Sequence, residues 1–181
     1  MTEQPINLDS LIASIWALLS PAEQLAAAAS FWKSKSTFKK GVEPAVTAKL
    51  ARLHNFRDKY VRERPLDWKA AELCKQLGRS PLNVYVDDVL REFLIETRRG
   101  LICAILDAEG TPHKEGWIAE DAPVPTADIF VRGLVGARGK HSDRDLLIYY
   151  AVQRVAEPSD HWEALHEAFA RPEFQDLVAS V

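Results

Sequence analysis

The sequence predicts a mainly α-helical protein, about seven or eight helices in an orthogonal bundle around one long helix at 81–98, with room for one short β-hairpin at 101–120. Three observations carry this. The stretch SPLNVYVDDVLREFLIETRR (80–99) places Val86, Val89, Leu90, Phe93, Leu94 and Thr97 in one sector at 100° per residue, with Asp87, Asp88, Arg91, Glu92, Glu96, Arg98 and Arg99 opposite. Helix-start signals recur, as Ser20-Pro21-Ala22-Glu23 and as Ser80-Pro81. Apolar faces at helical spacing recur elsewhere, as Leu8, Leu11, Ile12 and Ile15 and as Val46, Leu50 and Leu53. At 181 residues the chain suits a single domain, with 1–120 and 127–181 as a natural subdivision.

Taken in order, Leu8, Leu11, Ile12, Ile15, Leu18 and Leu19 share one helical face over 8–19, with Asn7 or Asp9 as cap. A capping box at Ser20 opens a second helix to about Trp32, and its alanines 26–29 admit a close neighbour. KSKSTFKKG (33–41) reads as a polar break. A third helix is expected from Pro44 to Arg62, with Val46, Leu50, Leu53, Phe56 and Tyr60 inward and a basic stripe of Lys49, Arg52, Lys59 and Arg62 opposite. Asp67 is the expected cap of a fourth helix that Gly78 closes as a C′ glycine. Beyond Gly100, Ile102 and Leu106 would fall on the charged side of the 81–98 helix. LICAIL therefore reads as a buried strand, paired through Gly110-Thr111-Pro112 with GWIAE, in preference to a helix that runs on. DAPVPT (121–126) is a connection. Helices follow at 127–136, at 142–156 from a Ser142 cap, from Ser159 or Asp160 to about Ala170, and after Pro172.

Composition narrows function. With 47% hydrophobic and 27% charged residues and a formal charge of −3, the chain does not coat an anionic polymer or a membrane by bulk charge. The charge is segregated, however. Residues 31–64 hold ten Lys or Arg against three acids, and residues 141–181 three Arg against eight acids. The basic run interleaves Trp32, Phe38, Phe56 and Tyr60, so phosphate contacts and base stacking are both conceivable, as is a solvated face above core aromatics. Two cysteines, Cys74 and Cys103, read as reduced thiols. The first ten residues lack a basic leader and no apolar run reaches the roughly 20 residues of a membrane span, so a cytoplasmic protein without membrane contact is expected.

AAELCKQLGRSPLNVYV (70–86) resembles the helix-turn-helix of bacterial DNA-binding proteins: Leu73, Cys74, Leu77, Gly78, Ser80 and Val84 occupy its apolar, small and turn positions. The resemblance covers 67–94 and implies a supporting helix at 67–77 and a reading helix from 81, with Asn83 offered to a base edge. Two helices joined by a tight glycine turn, as in any helical domain, is the alternative reading.

Other motifs carry less. GLVGARGKHS (133–142) approaches a phosphate-binding loop but has Leu134 and His141 where glycine and Ser or Thr are required. Glu163 and His166 form a single ExxH where a di-iron site needs two. Cys74, Cys103 and the histidines have no zinc spacing, so neither cofactor nor metal nor catalytic set is expected. The resulting expectation is a non-catalytic protein associating with DNA or RNA through Lys33, Lys35, Lys39, Lys40, Lys49, Arg52, Lys59 and Arg62, with Lys69, Lys75, Arg79 and Asn83 nearby. A protein-interaction module or homodimeric adaptor is the alternative.

Overall fold

A computed structural model describes residues 8–118, 121–156 and 159–179. The chain divides into two compact units, Met1–Glu96 and Thr97–Val181. The architecture is mainly α, as expected, with eleven α-helices and one small antiparallel hairpin among the described residues.

The first unit contains α1 (Leu8–Leu18), α2 (Pro21–Lys33), α3 (Thr37–Leu53), α4 (Asp58–Arg62), α5 (Leu66–Leu77) and α6 (Val86–Thr97). Of the two candidate caps for α1, Asp9 lies within the helix and Asn7 outside the described residues. At α2 the capping box forms as its residues dictate: Glu23 N–H donates to the Ser20 hydroxyl at 3.3 Å, and Ser20 N–H to the Glu23 carboxylate at 2.9 Å. Ala27 and Ala28 are fully buried where α2 packs along α5, and the Trp32 indole N–H donates to the Lys69 carbonyl at 3.1 Å.

Several boundaries differ from the sequence reading. The break at 33–41 is shorter, because Ser36 caps α3 by accepting from Lys39 N–H at 3.1 Å, and Pro44 lies inside the helix instead of opening it. The helix then stops at Leu53. Asn55 adopts φ 55°, a conformation asparagine tolerates better than most residues, and Phe56 N–H returns to the Ala51 carbonyl at 2.8 Å. The expected 44–62 helix is therefore two helices, and its basic stripe is not continuous. Asp67 lies within α5, which begins after Pro65, and Gly78 has φ −74°, a right-handed conformation that makes no left-handed cap. A 3₁₀ turn, Asn83–Tyr85, precedes α6, which starts at Val86 instead of Pro81.

The second unit contains α7 (Arg99–Glu109), the strands β1 (His113–Lys114) and β2 (Trp117–Ile118), then α8 (Ala127–Arg138), α9 (Asp143–Ala156), α10 (Ser159–Phe169) and α11 (Gln175–Ala179). LICAIL is helix, not strand. Arg98, at φ −123° and ψ 24°, interrupts the helical backbone, so α7 starts a new phase and buries its own face of Leu101, Ile105 and Leu106. Measured against the preceding helix, those residues look out of register. The hairpin shrinks to 113–118, turning on Glu115 and Gly116, both at positive φ as a type I′ turn requires. Ser142 caps α9 as expected, accepting from Asp145 N–H at 3.1 Å. All seven residues Leu146–Val152 are buried, so α9 is covered on every side. Tyr150 stacks on Phe169 at 4.2 Å, and its hydroxyl meets His166 Nδ1 at 2.6 Å.

The two glycines of GLVG have a packing role. A Cβ at Gly133 would stand 2.6 Å from Glu109 Cγ and 3.0 Å from the Ile105 carbonyl oxygen, and one at Gly136 would stand 2.8 Å from Ala108 Cβ. α8 therefore approaches α7 closer than any side chain allows. Gly133→Ala should lower unfolding free energy by about 1–3 kcal/mol in urea titration, because overpacking outweighs the gain of about 1 kcal/mol in helix propensity. Gly100→Ala, with nothing within 4 Å of its Cβ, should leave stability equal or higher.

This approach seals Glu109, which is 6% exposed. Its carboxylate accepts from the Thr111 hydroxyl at 3.2 Å, while Oε1 is buried without a hydrogen-bond partner. Burial pushes its pKa up to about 7, against the smaller opposing effect of Thr111. The folded state thus holds a proton that the unfolded chain releases near pH 4.5. Its contribution is complete below that value and is lost as pH rises to about 7. Between those limits stability should fall by up to about 3 kcal/mol, and Glu109→Gln should flatten that part of the profile.

Candidate nucleic-acid interface

The first unit sorts its cations into two groups. Lys39 belongs to the fold. It is 8% exposed; its Nζ donates to the carbonyl oxygens of Trp32 at 2.9 Å and Ser34 at 3.0 Å and pairs with Glu43 at 3.2 Å. It thereby serves carbonyls at the end of α2, where a helix welcomes positive charge, and is no phosphate contact. Lys49 donates to the Pro81 carbonyl at 2.9 Å and lies 4.7 Å from the Tyr85 ring centroid. Lys69 lies 5.2 Å from the Trp32 ring and reaches the Arg62 carbonyl at 3.5 Å.

The remaining sequence-predicted cations are exposed. Lys59 pairs with Glu63 at 3.7 Å in a solvent-screened position, and the exposed Lys75 reaches the part-buried Glu72 at 3.8 Å. The side chains of Lys33, Lys35, Lys40, Arg52, Arg62 and Arg79 are exposed and have no ion-pair partner among the described residues. Two of them converge. Lys40 and Arg62 line one concavity together with Glu43, Pro44 and Thr47, enclosing about 500 Å³ of empty space including its open mouth. Had the helix run unbroken from Pro44, Arg62 would stand about 27 Å further along it. The turn at Asn55 instead folds α4 back along α3 and brings Arg62 to the helix start. Glu43, the acid in the concavity, is already paired with Lys39. Thr47, 1% exposed, has a hydroxyl with no hydrogen-bond partner.

Arg52 and Lys59 do not line this concavity, so the sequence-predicted residues do not form one stripe. Thr47 escapes sequence reasoning because a threonine within a helix carries no distinguishing signal. The return of Arg62 has one, the His54-Asn55 pair, but the apolar spacing of Phe56 and Tyr60 masks it. Of the interleaved aromatics, Trp32 is buried. Phe38 carries the Arg91 guanidinium at 4.8 Å, and Tyr60 carries that of Arg64 at 4.1 Å. Phe38 and Tyr60 remain partly open, at 38% and 44% exposure.

The segment resembling a helix-turn-helix presents Asn83 and Val84 to solvent, but α6 behind them is largely interior. Arg91 and Glu92, expected on a solvated face, are 4% and 0% exposed. The Ser36 hydroxyl donates to Glu92 at 2.7–2.8 Å, and Arg91 pairs with Asp88 at 2.8 Å. Burial, with Asp87 alongside, raises the Asp88 pKa despite Arg91. The charged side of α6 packs instead of facing a groove. Ahead of α9, where the phosphate-loop-like segment ends, Arg138 pairs with Asp143 and Asp176 and donates to the Glu173 carbonyl. Among the described residues no cluster of three or more His, Cys, Asp or Glu could hold a metal ion, and no single helix is long and apolar enough to cross a membrane.

Compared with protein-family models, curated proteins and solved structures, the chain matches none. Function therefore rests on residues alone. Adjacent lysines make the sorting measurable: Lys39→Ala should cost about 1–3 kcal/mol by orphaning buried carbonyls, whereas Lys40→Ala should stay within about 0.5 kcal/mol, both by denaturant unfolding.

Proposed function

We propose that this chain is a non-catalytic, cytoplasmic accessory protein that associates with the phosphate backbone of DNA or RNA through exposed cations of residues 33–62, centred on the Lys40–Arg62 concavity. The observation that carries the reading is that Lys40 and Arg62, far apart in sequence, share one open recess whose acid is neutralised elsewhere. Phosphate oxygens fit this chemistry: an ammonium acts as a point charge and a guanidinium supplies a planar fork of donors. Because the polar side of α6 is packed away, the proposed contacts are to backbone, without base reading. Lys33, Lys35, Arg52 and Lys59 extend the attraction, and Lys39 has no part in it. Two free cysteines agree with a reducing compartment.

A second reading, self-association or docking of a protein partner, is favoured by a separate feature. Ile12 and Trp16 of α1 face Leu77, Val84 and Val86 across a groove of about 1080 Å³, open mouth included, and Val84 is 60% exposed.

The test is electrophoretic mobility with single-stranded DNA and duplex RNA at low salt, alongside light scattering. Retention should weaken steeply as salt rises. The double charge reversal Lys40→Glu/Arg62→Glu should reduce the slope of log affinity against log salt by about two, one for each phosphate that is no longer neutralised. Absence of any shift at low salt would overturn the proposal, and a stable oligomer in the same sample would favour the second reading.

A further inference from the structure

The chain from the end of α3 to the start of α5 gathers five side chains into one surface cluster. His54 stacks on Phe56 at 5.4 Å, and Phe56 meets Tyr60 edge to face at 4.6 Å. Trp68 lies 5.6 Å from His54 and 6.4 Å from Phe56. The Arg64 guanidinium spans the rings, 4.1 Å from the Tyr60 centroid, 5.3 Å from Trp68 and 5.8 Å from Phe56, and donates to the Tyr60 hydroxyl. Among the described residues no carboxylate pairs with it. The same unit closes its other aromatics away from water: Phe31 is 0% exposed, Trp32 7% and Phe93 2%. In this cluster no ring is buried, and Tyr60 is 44% exposed. Rings that served only as core would be covered as those are. Cations surround them. Residues 52–69 hold six Lys or Arg against three acids, and Arg52, Arg57 and Lys59 are all exposed. Each of the acids is engaged. Glu63 pairs with Lys59, and Asp58 and Asp67 lie in the first turns of α4 and α5, where free N–H groups offset their charge.

We propose that this cluster is a stacking platform for an unpaired base of a single-stranded nucleic acid, the base lying on Tyr60 and Arg64 while Arg52, Arg57 and Lys59 meet the flanking phosphates. This rests on the phosphate-backbone reading above and specifies the form of the partner. Every nucleobase offers a π-face, which stacks on an aromatic ring or on the plane of a guanidinium. Phosphates answer the surplus positive charge around the rings. Bases inside a duplex are stacked on one another and present only their edges, so they offer Tyr60 no face. Charge alone would favour the duplex, whose phosphates are denser, so a preference for the single strand reports the rings. Stacking tolerates any base, in keeping with contacts that read no sequence. The platform also gives Arg52 and Lys59, which lie outside the Lys40–Arg62 concavity, a part in binding.

The experiment is fluorescence anisotropy of the full chain at low salt with a labelled strand of about 16 nucleotides, in DNA and in RNA form, each alone and in its duplex. At least one single strand should bind about threefold or more tightly than its duplex. Tyr60→Ala should weaken single-strand binding about 5- to 100-fold and leave duplex binding within about twofold. The slope of log affinity against log salt should not change, because no charge is removed. Tyr60→Phe, which keeps the ring, should bind as the unaltered chain does. Tyr60→Leu keeps apolar bulk without a π-face; it should lose binding as the alanine variant does, and replaces that variant should it not fold. The proposal is overturned if both duplexes bind as tightly as their strands, or if loss of the Tyr60 ring weakens strand and duplex alike or neither. Those outcomes leave the phosphate-backbone reading standing, whereas failure of strands and duplexes alike to bind at low salt overturns both.

Discussion

Glu92 is completely buried, and both its oxygens accept from the single hydroxyl of Ser36. That hydroxyl also receives Lys39 N–H, so one side chain both anchors on α6 and starts α3. A carboxylate withdrawn from water tolerates little displacement from its donor, and Ser36 is thereby held in place. From a fixed start the phase of α3 follows at 100° per residue. Lys39 turns inward to the end of α2 and Lys40 turns outward. Thr47, almost two full turns beyond Lys40, falls near the same side. The division of basic residues into structural and available ones descends from that one buried contact.

Much of the fold is legible in the sequence because local signals and helical period agree. Ser20 and Glu23 specify a capping box wherever they occur before a helix, and Ser142 specifies the start of α9 in the same way. What the period cannot supply is its own interruptions. Phe56 and Tyr60 continue the spacing of Val46 and Leu50, yet Asn55 takes a left-handed conformation between them. LICAIL reads as a strand for the converse reason, since its apolar residues are referred to a helix that has already ended at Thr97. Amphipathic spacing reports a face within one helix and carries no information across a break.

The candidate site is legible at the level of composition only. Excess positive charge in residues 31–64 is plain, but the partner of each cation depends on tertiary contacts: Lys49 meets the Pro81 carbonyl, 32 residues away. The same holds in the second unit. The glycines of GLVG resemble a phosphate loop by spacing, whereas their role is to let α8 lie against Glu109 and Ala108. Nothing in the sequence marks Glu109 as the residue that α8 seals.

The most direct test of this sorting is lysine footprinting by brief acetylation and mass spectrometry, which reads each amine separately. Lys33, Lys35 and Lys40 should be modified rapidly, with Lys39 protected until the protein unfolds. Modification of Lys39 as fast as its neighbour Lys40 in the folded chain would contradict it, for the buried start of α3 would then not divide the cations at all.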